Sequence, residues 1–188
     1  MGDPPAPLTV RPALPGDERG VARVHVDAWR LAYRGLIADE VLSALSLADS
    51  AGRWRAWLEA SVAGRPTDHT PDVTHRMLVA TSGDRIVGWV TFGPARDATA
   101  SADHEVAGLY VHPDSWSRGV GCTLLDAVEA DLSSRGATEA YLWVLAGNER
   151  AIGFYERHGW MSDGAEKLGD AGGARQLREL RHTRSLRP

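Results

Sequence analysis

The stretch LYVHPDSWSRGVGCTLL, from Leu109 to Leu125, decides the fold. Its first residues end a β-branched and aromatic run that begins at Glu105. Its last seven open an apolar helical pattern that continues to Arg135 and is closed by Gly136. Between the two lies a polar turn that ends in Gly119 and Gly121. The first N–H groups of a helix lack internal partners and lie at the positive end of its dipole, so Arg118 to Cys122 can present donors to a phosphate. Two glycines there let a pyrophosphate approach the backbone.

A glycine pair between a strand and a helix is also an ordinary tight turn, so neighbouring residues have to decide its meaning. No Gly-Lys-Ser or Gly-Lys-Thr follows, which removes the Walker loop. Leu124 stands where a dinucleotide fingerprint has its third glycine. A pyrophosphate site of another design remains.

Upstream, Met77 to Thr81 and Arg85 to Phe92 flank Ser82-Gly83-Asp84 in the pattern of a hairpin. A short strand is expected at Leu8 to Pro12. Asp17 is placed to cap a helix whose apolar positions Val21, Val24, Ala28, Leu31 and Ala32 keep helical spacing up to Gly35. Asp39 to Leu45 and Ser46 to Ala60 read as two further helical pieces, the second capped by Ser46, with Trp54, Trp57 and Leu58 inward. Gly64 to Thr74 reads as a loop. Downstream come a strand at Ala140 to Leu145 and a helix from Glu149 to His158 closed by Gly159. Trp160 to Met161 and Gln176 to His182 are the last strands expected, around a glycine-rich loop, Gly164 to Gly173. This order implies a mixed sheet flanked by helices, an α/β arrangement with antiparallel neighbours. Residues 8–188 form one domain in this reading, after a flexible lead-in at 1–7.

Composition narrows the function classes. A chain of 188 residues fits one core. A net charge of −4 offers no general attraction to nucleic acid or to anionic membranes. The single cysteine, Cys122, has no internal disulfide partner, and seven histidines without a second thiol give no zinc spacing, so no metal is expected. The opening MGDPPAPLTV has neither a basic start nor an apolar run. A reducing cytoplasmic setting follows as the expectation, and a homodimer is left open.

With NERAIGFYERHGW, Asn148 to Trp160, placed after the next strand, the Leu109–Leu125 segment resembles the two central motifs of the Gcn5-related N-acetyltransferase (GNAT) family. The family wording of the first is Gln or Arg, two residues, Gly, one residue, then Gly or Ala. Arg118, Gly119 and Gly121 match it, while Trp116 takes the Gln or Arg place. The resemblance implies a mostly antiparallel sheet with a splayed central strand pair. It also implies acetyl-CoA as cosubstrate, held by Leu109, Tyr110, Val111, Arg118, Gly119, Val120, Gly121, Cys122, Asn148 and Tyr155. The strand edge at Leu109–Val111 would pair with the pantetheine arm, and Asn148 serves equally well as a helix cap.

Tyr155 corresponds in this resemblance to the general acid that protonates the departing CoA sulfur, a reasonable donor for a thiolate. Glu105 is the first candidate base, expected to share a face with Ala107 and Leu109, with His104 and His112 behind it. Trp29 and Tyr33 lie one turn apart where an acceptor pocket would form, although aromatic pairs also pack cores. Cys122 allows an acetyl-cysteine route, set against a space-filling role. Arg175, Arg178, Arg181, Arg184 and Arg187 recur every third residue, as a solvated edge or an anion site. The activity implied is transfer of acetyl to an amine of a small molecule or peptide. The alternatives are an acyl-CoA sensor without turnover and an enzyme that uses a longer acyl donor.

Overall fold

A computed structural model describes residues 7–66 and 74–186. All but Pro7 of the expected lead-in, and residues 67–73 of the expected loop, lie outside them. In chain order the elements are β1 (Leu8–Pro12), α1 (Glu18–Ala32), α2 (Asp39–Ala44), α3 (Leu47–Val62), β2 (Arg76–Ser82), β3 (Arg85–Pro94), β4 (His104–Val111), α4 (Val120–Ser134), β5 (Glu139–Leu145), α5 (Glu149–Arg157), β6 (Met161–Ala171) and β7 (Ala174–Ser185). One sheet of order β1-β2-β3-β4-β5-β7-β6 contains every strand. Only β4 and β5 run parallel; the other neighbours are antiparallel.

Each face of the sheet carries its own apolar layer. On one, Val90, Phe92, Val106 and Leu142 pack against Leu124 and Leu125 of α4 and against Trp160. On the other, Val79 and Trp89 meet Val21 and Val24 of α1 and Trp57 and Leu58 of α3. Each fully buried aliphatic side chain contributes about 1.5–3 kcal/mol through removal from water, so the two layers fix which side of each strand faces which helices.

Three expectations change. Asp17 does not cap α1 with its side chain: Arg11 donates to both carboxylate oxygens at 2.7 and 2.8 Å, and the Leu14 N–H donates at 2.9 Å. A strong bidentate partner outcompetes the helix N–H groups. Ser46 does cap α3, accepting from Asp49 N–H at 3.3 Å. The presumed loop Gly164–Gly173 is mostly strand, because β6 is held to β7 by cross-strand charge pairs (Glu166 with Arg178, Lys167 with Glu179) that need no apolar alternation. Three of the serial arginines serve the same scaffold: Arg178 binds Glu166, Arg181 binds Asp97 and Asp163, and Arg184 binds Glu129, while Arg187 lies outside the described residues.

The third change concerns β4. Gly108 pairs with Thr91, yet Val106 pairs with Phe92, so Ala107 is an extra residue, a β-bulge. The bulge reverses the alternation, and Val106, Leu109 and Val111 all join the α4 layer while Tyr110 joins the α1 layer. Glu105 therefore does not share a face with Leu109. It is buried against His75, whose Nε2 lies 3.2 Å from Oε1, and receives hydrogen bonds from Arg96 Nε and, at 2.9 Å, from the Tyr141 hydroxyl. Burial opposes ionisation of Glu105, but the bonds from His75 and Arg96 and the Arg96 charge outweigh it and hold the carboxyl below its ordinary value. Tyr141 is pushed up to about 12, first by burial and then by the Glu105 charge.

A carboxyl whose folded pKa is depressed stabilises the fold above its unfolded value of about 4.3, and that contribution is lost as pH falls through the folded value. Glu105→Gln is expected to cost about 2–3 kcal/mol at pH 7. Urea unfolding of both proteins should show the gap shrinking below about pH 4. A gap independent of pH would show that the charge of Glu105 is irrelevant to folding.

Candidate active site

Strands β4 and β5 are bonded only through Glu105 opposite Tyr141 and Val106 opposite Leu142. Beyond these pairs they part, and a cleft of about 660 Å³ opens between them. On the α4 and α5 side its walls include Leu109, Val111, Gly119, Asn148, Phe154 and Tyr155. On the α1 side they include Trp29, Tyr33, Tyr110, Trp143 and Glu179. The divergence leaves the β5-facing backbone groups of Ala107 to Val111 without a β5 partner, an open edge of the kind that an extended ligand can join.

The loop entering α4 is built to keep its shape. A 3-10 turn, Pro113–Ser115, follows β4. The Trp116 indole N–H then reaches back to the Val111 carbonyl at 2.8 Å, and the Arg150 guanidinium lies 4.0 Å from the centre of its ring. Ser117 (φ 59°) and Gly119 (φ 80°) are both left-handed, which is unfavourable for serine and easy for glycine. The first helical bond of α4 runs from Thr123 N–H to Gly119 O at 3.0 Å, so the N–H groups of Val120, Gly121 and Cys122 precede it and remain for an anion. Gly121 permits close packing as well: a Cβ there would stand 3.2 Å from the Phe154 ring.

Most of the expected cofactor residues come together here. Leu109, Tyr110, Val111, Gly119, Val120, Gly121, Cys122, Asn148 and Tyr155 all line the cleft, as do Trp29 and Tyr33. Arg118 does not line it and is exposed. Asn148 caps α5, its Oδ1 accepting from Ala151 N–H at 3.2 Å. Tyr155 is buried at the junction of the two ends, and burial, followed by the nearby Tyr110, raises its phenol above the ordinary tyrosine value. The Tyr33 and Tyr110 hydroxyls lie 3.4 Å apart, and burial raises both phenols. All three tyrosines thus carry their protons at neutral pH.

The candidate bases fare differently. Glu105, enclosed at the apex, is not among the lining residues, and neither are His104 and His112. His112 Nε2 lies 3.1 Å from Asp27, and its Nδ1 accepts from Asp114 N–H at 3.3 Å, tying the end of β4 to α1. Glu179, by contrast, was not singled out in the sequence. It reaches the cleft because β7 pairs it with Leu145. Its neighbours Arg178 and Leu180 gave it the look of a solvated edge.

A diverging parallel strand pair, a bulge beside it and a helix opening at the same gap form one arrangement, and comparison with known proteins assigns it. Residues 45–160 match the sequence model of the acetyltransferase (GNAT) family. The chain belongs to the GNAT family. Probable N-acetyltransferase Rv2775 of Mycobacterium tuberculosis is 29% identical to it over 164 residues, covering 85% of this chain and 83% of that protein. A GCN5-related N-acetyltransferase structure from Rhodopseudomonas palustris superposes with a TM-score of 0.71 at 24% identity, over 98% of this chain and 99% of that one. The PaiA N-acetyltransferase of Thermoplasma acidophilum, solved in complex with coenzyme A, gives 0.69 at 18% identity, over 95% and 99%. These two likenesses establish the GNAT fold. No described helix is long and apolar enough to cross a membrane.

Within this GNAT protein Trp116 does mechanical work where the family pattern has Gln or Arg. Trp116→Phe keeps an aromatic face for Arg150 and removes the bond to Val111, about 1 kcal/mol, equivalent to roughly fivefold in affinity. Calorimetry with acetyl-CoA is expected to show that weakening with little change in melting temperature. Unchanged affinity would mean that the loop holds its shape without the indole.

Proposed function

We propose that this GNAT enzyme moves acetyl from acetyl-CoA directly to the nitrogen of an amine bound across the cleft, with Tyr155 as the acid that protonates the departing sulfur. The observation that carries the reading is the position of Tyr155, a buried, protonated phenol at the junction of a phosphate-ready helix start and an aromatic pocket. Residues that fit CoA are the α4 N–H donors at Val120 to Cys122 for the diphosphate and the unpaired β4 edge for the pantetheine arm. CoA supplies the activated thioester. The α5 side adds Arg150, Arg157 and His158 to the cleft wall, beside Glu149.

In this scheme the neutral amine attacks the thioester carbon and the carbon–sulfur bond breaks. The phenol of Tyr155 gives its proton to sulfur. The proton shed by the nitrogen leaves through water and restores the phenol. In this scheme the backbone N–H groups in Gly108 to Tyr110 that do not point to β3 polarise the thioester carbonyl. Glu105, proposed from sequence as the base, takes part as a positioning residue at the apex, because its oxygens already face Arg96, His75 and Tyr141. Direct attack needs no acyl-enzyme, so Cys122 is a small side chain of the first α4 turn. The lone cysteine fits a cytoplasmic setting, and a length of 188 residues fits a single domain.

Tyr155→Phe is expected to lower kcat by about 10²-fold or more while leaving acetyl-CoA affinity within about twofold. Free-thiol release across a panel of amines, with calorimetry for the cofactor, reads both. Because the phenol is raised above about 10, the alkaline limb of wild-type kcat should fall above that pH. Full turnover by the phenylalanine variant would remove Tyr155 from the chemistry.

A further inference from the structure

The cleft is chemically lopsided. Its lining arginines, Arg150 and Arg157, and the lining His158 all lie on α5 or its C-cap. At the α1 end the charged lining group is Glu179, and the walls around it are Trp29, Tyr33, Tyr110, Trp143 and Leu177. Among the described residues no lysine, arginine or histidine lines that end. Two cations of β6 and β7 near this end are already paired with carboxylates. Arg181 is held by Asp97 at 3.1 Å and Asp163 at 2.7 Å, and Lys167 pairs with Glu179 itself at 3.5 Å.

The carboxylate of Glu179 has room beside β6 and is partly exposed. A Cβ at Gly169 would lie 2.7 Å from its Oε2, so the absence of a side chain on β6 is what makes room for it. Its side chain is 25% exposed. Its charge is felt at the phenols of Tyr33 and Tyr110, which places it within electrostatic reach of the cleft junction. The chain itself displays the ligand type that suits this spot. The Lys167 ammonium contacts the Glu179 carboxylate and lies 4.4 Å from the centre of the Trp143 ring, and both of those partners also line the cleft. Lys167 is itself 43% exposed and holds its position loosely.

We infer that Glu179 and Trp143 select the acceptor: a primary alkylammonium on an apolar or aromatic body, with no carboxylate on the carbon beside the nitrogen. A carboxylate at that carbon would face Glu179 with no lining cation to offset it, Lys167 being already paired with Glu179 and not lining the cleft. An aliphatic or aromatic body has the rings of Trp29 and Tyr33 and the side chain of Leu177 to pack against. The acetyl-transfer reading supplies the reaction on which this inference rests, while the binding preference can be measured without it.

Matched pairs provide the test. Tryptamine against tryptophan and tyramine against tyrosine are titrated calorimetrically into wild-type protein saturated with CoA. The amine of each pair is expected to bind at least tenfold more tightly than its amino acid, and Glu179→Gln should abolish that preference without altering CoA affinity. Equal affinities within the pairs, no binding of either amine, or unchanged tryptamine affinity in Glu179→Gln overturns the inference. Thiol release from acetyl-CoA separates the two readings. Amine binding without thiol release refutes transfer and leaves the selectivity standing; amino acids consumed as fast as their amines refute the selectivity and leave transfer standing.

Discussion

Two residue pairs join β4 to β5, and the site exists because there are only two. A parallel ladder normally continues for the length of both strands, since each pair satisfies backbone groups that would otherwise need water. Here the bulge at Ala107 falls directly after the second pair and redirects β4. The remaining pairs stay bonded on their outer sides, β4 to β3 and β5 to β7, so neither strand loses its place in the sheet. Glu105 closes the apex. A buried carboxylate is costly unless every oxygen is met, and the groups that meet it come from His75 just before β2, the β3–β4 connection and β5. Its ionised state therefore ties the two halves of the sheet together at the point where they separate.

The two ends of the cleft inherit different chemistry from the elements that frame them. The α4 and α5 side has a helix start with free donors, a loop propped by Trp116 and three basic groups on one wall. The α1 side has aromatic rings and one carboxylate. Tyr155 belongs to the first side by its helix and to the second by its proximity to Tyr110 and Tyr33. On the proposed function, a charge gradient along one continuous cavity would orient an anionic cofactor and a cationic acceptor.

Much of this could be read from residues alone, and the failures share a cause. The α4 entry, the α5 motif and the flanking strands were legible because their signals are local: glycine at a left-handed position, apolar residues at helical spacing, a capping serine. The bulge was not, since nothing in EVAGLYV marks which residue lacks a partner. Assigning Glu105 to the wrong face followed from that one extra residue. Asp17 looked like a cap because its competitor, Arg11, lies on another element. β6 looked like a loop because its cohesion comes from charges on β7. Glu179 was missed for the same reason: only strand pairing across 34 residues brings it beside Leu145.

The bulge and the apex pairs act together as the fulcrum of a long lever. Any slight change in how Val106 seats against Leu142, or in how Arg96 and His75 grip their carboxylate, is multiplied along diverging strands into a larger change of width at the far rim. Acyl-chain length and acceptor bulk can thus be retuned by side chains that never touch either ligand.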